Sequence, residues 1–116
     1  MKLAVDFPSR PEFRWELANG HNDRGVLLRA TGRLKEAEAD VDAALGFRKQ
    51  LAAHFPSRPE FRWELAASYS NRGNLLSATG RFKEAEADYD AALGIQKQLA
   101  VDFPNQSDRH NDLAGT

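Results

Sequence analysis

Apolar side chains stand at Phe13, Leu17 and Leu28, and again at Phe61, Leu65 and Leu76, one repeat further on. Positions 13, 17 and 28 return to one face of a helix that turns about every 3.6 residues. Each set therefore predicts a helix with one core-facing stripe. A second stripe runs beside it through Trp15, Asn19, Asn22, Val26 and Arg29, at steps of 4, 3, 4 and 3. Its counterparts are Trp63, Ala67, Ser70, Asn74 and Ser77.

Punctuation sets the ends of these helices. Pro11 and Pro59 suit a first turn, where a missing N–H costs nothing. Ser9 and Glu12, like Ser57 and Glu60, have the spacing of a capping box. Gly32 and Gly80 follow the apolar stripe at the place where a left-handed residue closes a helix. A second helix then starts near Leu34, or Phe82 in the other half. It opens with acids (Glu36, Glu38, Asp40, Asp42) and closes with bases (Arg48, Lys49), an order that suits the helix dipole. It stops before Pro56 and Pro104, which cannot continue it. Helices of about 21 residues, or roughly 30 Å each, are expected. The weak place is "ANGHND" (Ala18 to Asp23), where Asn19 and Gly20 predict a kink or a frayed turn.

The two halves are one unit written twice. Residues 3–50 and 51–98 agree at 35 of 48 positions, and "FPSRPEFRWELA" recurs letter for letter at Phe7–Ala18 and Phe55–Ala66. A third copy opens at "LAVDFP" (Leu99 to Pro104) and drifts after it, so residues 99–116 read as a truncated third unit within a single repeat domain spanning 1–116. Of the 13 differences between the two full units, Asn19/Ala67, Asn22/Ser70, Val26/Asn74 and Arg29/Ser77 lie on one helix face. That face is either tuned for recognition or drifting because solvent tolerates change there.

The segment "NRGNLLSATGRFKEAEADYDAAL" (Asn71 to Leu93) resembles a tetratricopeptide repeat. Gly73, Leu76, Gly80, Phe82, Ala85, Tyr89 and Ala92 fall on that family's marked positions. Gly25, Leu28, Gly32, Leu34, Ala37, Val41 and Ala44 do so in the first unit. The resemblance implies an all-α, right-handed superhelical stack of antiparallel helix hairpins. The family's unit has 34 residues; the extra 14 here are close to four helical turns, about two on each helix. Arrays of this long period are similar to those attached to bacterial signalling proteins. Arg24 and Arg72 stand where the family has leucine. They must bury their stems and send their heads to water or to a carboxylate on the neighbouring helix. The family's proline late in the second helix is absent, with Lys49 and Lys97 in its place, as suits a helix that continues.

In the resembled family the stripe beginning at Trp15 faces a concave groove that holds peptides. The resemblance thus implies a peptide-binding set of Trp15, Asn19, Asn22, Val26, Arg29, Trp63, Ala67, Ser70, Asn71, Asn74 and Ser77. Tryptophans make good interface anchors, although packing on the next hairpin explains two unchanged copies as well. Asn22, Asn71 and Asn74 can both donate to and accept from a peptide main chain, or simply face water. Arg29 is the one cation on the stripe, which argues against a clamp for acidic tails.

Composition narrows the partners. With 16 Lys plus Arg against 17 Asp plus Glu, the net charge is −1, which gives no basic surface for nucleic acid or an anionic membrane. There is no cysteine, so thiol chemistry and thiolate metal sites are excluded. No apolar run is long enough for a membrane span, and "MKLAVDFPSR" lacks a secretory h-region; a cytoplasmic setting is expected. His21, His54 and His110 occupy unlike positions, and no catalytic motif appears. The acids of "EAEADVD" alternate and predict a solvated surface rather than a cation site. No enzyme activity and no cofactor are expected. Two functions remain: a protein-interaction scaffold with a peptide or helix in its groove, or a self-associating structural module. Because repeats contact only their neighbours, two units and a fragment leave an apolar end exposed. A homo-oligomer joined through exposed hairpin ends, by stacking or by exchange of a terminal helix, is the expected cover.

Overall fold

The computed structural model describes residues 11–104. Four helices follow in order: α1 Pro11–Ala30, α2 Leu34–His54, α3 Pro59–Ala78 and α4 Phe82–Asp102. Their lengths are 20, 21, 20 and 21 residues. The first helices of the two units start at equivalent prolines, and the second helices at the equivalent Leu34 and Phe82. Equivalent helices thus start 48 residues apart. Helices α1 and α2 form one antiparallel hairpin, α3 and α4 a second, and α2 packs on α3 between them.

Each hairpin turns on a glycine. Gly32 and Gly80 have φ of 81° and 78°, and among the described residues no other type has positive φ. The N–H of Gly80 donates to Ser77 O at 3.0 Å and that of Arg81 to Leu76 O at 2.9 Å. Gly32 and Arg33 repeat the pattern on Arg29 O and Leu28 O. These paired bonds satisfy carbonyls that the helix end leaves open. Arg33 and Arg81 then open the next helix, each forking onto the glutamate three positions on, Glu36 or Glu84.

The capping box is corrected. Arg58, not Ser57, stands at the cap of α3, and no side chain bonds the open N–H groups there. Glu60 instead accepts from Arg58 Nε at 3.3 Å. Ser57 lies in the bend Phe55–Arg58, which is closed by Arg58 N–H to Phe55 O at 3.0 Å. Ser9 lies outside the described residues.

No kink occurs at "ANGHND" either; α1 runs unbroken through it. Tertiary contacts offset the poor local propensity. Asn19 accepts from Arg48 at 3.2 Å, His21 bonds Asp40 at 3.0 Å, and the His21 ring stacks on Phe47.

Helices approach closely where the sequence places glycine. A Cβ on Gly25 would lie 2.9 Å from Val41 Cγ2, and one on Gly73 would lie 2.8 Å from the Tyr89 ring. The core cluster of Leu28, Ala37, Val41 and Leu75, with Leu34 against it, joins both hairpins. Leu28, Phe61 and Leu76 are buried as the stripe required, and Leu17 and Leu65 are half-buried. Phe13 departs from expectation and is exposed. Its counterpart Phe61 is covered by Phe55 of the preceding hairpin, edge to face at 5.8 Å. No hairpin precedes Phe13 among the described residues.

Candidate interaction groove

Helices α1 and α3 are the first helices of successive hairpins, and their stripes meet across a shallow groove. A hollow of about 110 Å³ there is lined by Gly25, Val26, Arg29, Val41, Asn71, Asn74 and Leu75. Four of the expected binding residues (Val26, Arg29, Asn71, Asn74) thus come together from two helices. Val26 and Arg29 are exposed, Asn71 is half-buried and Asn74 is exposed. Two amides in the groove are already engaged. Asn71 Nδ2 donates to Asn22 Oδ1 at 2.7 Å, tying α3 to α1, and Asn74 Oδ1 accepts from the Tyr89 hydroxyl. Both asparagines keep further donor and acceptor positions.

The tryptophans sit apart from this hollow. Trp15 is at the other end of α1, where its indole N–H donates to Glu64 Oε2 at 3.0 Å. It lines a separate space of about 320 Å³ with Pro11, Glu12, Arg58, Glu60, Phe61 and Glu64. Its hydrogen-bond partner is therefore the first helix of the next hairpin rather than the second. Trp63 is half-buried. Asn19 is turned toward Arg48, while Ala67 is exposed and Ser70 and Ser77 are half-buried.

Within each hairpin lie ion pairs that the sequence placed only loosely. Arg24 forks onto Asp40, Nε to Oδ2 at 2.7 Å and Nη2 to Oδ1 at 2.8 Å. Arg72 does the same to Asp88 at 2.8 Å on both arms. The arginines standing in place of leucine do reach a carboxylate on the neighbouring helix, but the Arg24 side chain is 64% exposed, so its stem is not buried as expected. The acids of "EAEADVD" are not all solvated, however: Asp40 and Asp88 are 4% and 5% exposed. The period of α2 turns Asp40 inward beside Val41, and the arginine makes its burial tolerable. A signal was present in the sequence, since an Arg–Asp separation of 16 recurs in both units.

Arg24's hydrogen bonds, then that of His21, hold the Asp40 carboxyl down from 3.8 to about 2, against the opposing effect of burial. A depressed carboxylate contributes stability that is complete above its unfolded pKa and vanishes as pH falls through the folded one. Stability from this pair should therefore decline between about pH 4 and about pH 2. Thermal melts across that window should show the decline, and Asp40→Asn should flatten it. An unchanged slope in the variant would show that Asp40 is not the group concerned.

Arg48, like Arg14, is a buried cation. It is 6% exposed. It donates to Ser68 Oγ at 2.9 Å, Asn19 Oδ1 at 3.2 Å and Glu64 O at 3.4 Å, joining α1, α2 and α3. Its Nε and Glu64 Oε1 are buried without a partner among the described residues. Burial lowers the Arg48 pKa.

Among the described residues, no group of three or more His, Asp or Glu is arranged to hold a metal ion, and no helix is long and apolar enough to cross a membrane. Compared with known families, residues 65–105 match the model described as "Tetratricopeptide repeat". No curated protein and no solved structure matches the chain.

Proposed function

We propose that the chain, whose residues 65–105 match the tetratricopeptide-repeat model, is a protein-interaction module that binds a peptide or helix in the groove between α1 and α3. One observation carries the reading: Val26 and Arg29 of α1 and Asn71 and Asn74 of α3 line a single hollow. Its volume of about 110 Å³ suits one modest apolar side chain. Val26 offers such a side chain an apolar surface. Arg29 and the amides of Asn71 and Asn74 can bond the flanking carbonyls and N–H groups of the ligand backbone. The other half of the stripe, around Trp15, gives a second and separate contact for a longer ligand. The repeats form a right-handed superhelical stack in which such contacts recur at each unit, and the residues around the groove act as a scaffold without catalysis.

Selection from a displayed peptide library, followed by fluorescence titration of the best binder, tests the reading. Val26→Asp, and Arg29→Ser with Asn74→Ala, should each weaken capture at least about tenfold. The altered side chains are exposed, so the melting curve should stay in place. Binders that ignore both changes, or a library that yields none, would reject the groove.

A further inference from the structure

The α2–α3 contact inside the chain is a template, and both of its halves recur, on α1 and α4, as faces with no partner helix among the described residues. On α3, Leu75 is 1% exposed; the equivalent Leu27 on α1 is 63% exposed. On α2, Leu45 is 2% exposed; the equivalent Leu93 on α4 is 50% exposed. Phe13 and Phe82 are exposed too, whereas their equivalents Phe61 and Leu34 pack within or against the core.

Charges repeat the same asymmetry. Between the hairpins, Arg72 reaches Asp42 at 3.3 Å and Arg81 reaches Glu38 at 3.0 Å. Their equivalents Arg24 and Arg33 make no such contact to a preceding unit among the described residues. Instead they border an open hollow of about 430 Å³ with Leu28, Glu36, Ala39 and Asp40. The acids that fill that place in the second unit, Glu38 and Asp42, have exposed counterparts in Glu86 and Asp90 on α4.

We propose that a second copy of this chain seats its α4 on the α1–α2 face of the first, reproducing the α2–α3 contact between molecules. Leu27 of one copy then meets Phe82, Tyr89 and Leu76 of the other, as Leu75 meets Leu34, Val41 and Leu28 within the chain. Arg33 pairs with Glu86 and Arg24 with Asp90. The buried Arg48–Ser68 contact maps onto Gln96 and Gly20, so no charge is left stranded at the new junction. The contact is head to tail and leaves one free face at each end, so it grows into open arrays or closes as a ring rather than stopping at a two-fold dimer. By the same template, Asn74 of one copy and Val26 of the other line a second groove across the new junction.

Sedimentation velocity on the full chain, from about 1 μM to about 500 μM, should show mass rising with concentration. Leu27→Asp blocks one face and Leu93→Asp the other. Both side chains are exposed, so each variant should keep its circular dichroism and melt while association weakens at least about tenfold. Mixing the two variants should give a one-to-one pair and nothing larger, since each supplies the face that the other lacks. Arg33→Glu should weaken association, and Arg33→Glu with Glu86→Arg in one chain should restore it. Three results would overturn the proposal: a monomer at every concentration, which would mean the chain's own terminal segments cover these faces; a dimer insensitive to one of the two aspartates, which would mean a like-with-like contact; or variants that fail to pair when mixed.

Discussion

Leu75→Ala should cost about 2–5 kcal/mol, whereas Leu27→Ala, the same substitution at the equivalent position of the first unit, should cost less than about 0.5 kcal/mol. The flanking residues "LLSA" and "LLRA" are nearly identical, so local propensity cannot separate the two. Burial does. Leu75 sits in the cluster with Leu28, Ala37 and Val41, and the hairpin junction closes over it. Its truncation removes contacts on both sides and leaves a cavity that helices fixed at Gly25 and Gly73 cannot easily close. Leu27 points away from the chain's own core. Urea denaturation in dilute solution, where copies are separate, gives the comparison. Equal losses would mean that the hairpins do not pack as described.

Arg48→Ala should destabilise by about 2–3 kcal/mol, and Arg48→Met should recover most of that loss. Alanine removes the stem that packs between α1 and α3, and it leaves Ser68 and Asn19 without their charged donor. Methionine restores the packing without a buried charge. The guanidinium already meets a penalty, since its Nε lacks a partner and burial lowers its pKa. Ser68 can then turn its hydroxyl to the carbonyl of Glu64, one helical turn back. If methionine proves as damaging as alanine, the hydrogen bonds outweigh the stem. Gln96 occupies the equivalent position in the second unit, so a neutral side chain is already compatible with the helix.

The corrections share a cause. For Ser57, the acids of "EAEADVD" and the "ANGHND" segment, sequence neighbours point one way and groups from another helix decide the outcome. Arg58 takes the cap because the bend Phe55–Arg58 must bring Phe61 onto Phe55. Asp40 goes inward because Arg24, on the preceding helix, reaches it. Asn19 stays helical because Arg48, near the far end of α2, holds it.

Helix number, helix ends, the glycine turns and the spacing between units were set by local chemistry, since Pro, Gly and the helical period act within a few positions. Comparing the two units also brings Val26, Arg29 and Asn74 forward as part of a variable stripe, and the family resemblance is what points that stripe at a groove. What a linear pattern could not say is which of two equal residues is buried. Leu27 and Leu75, or Leu45 and Leu93, stand at the same place in the repeat and are opposite in exposure, because among the described residues only one of each pair has a neighbouring hairpin beside it. Burial energy belongs to the contact rather than to the residue.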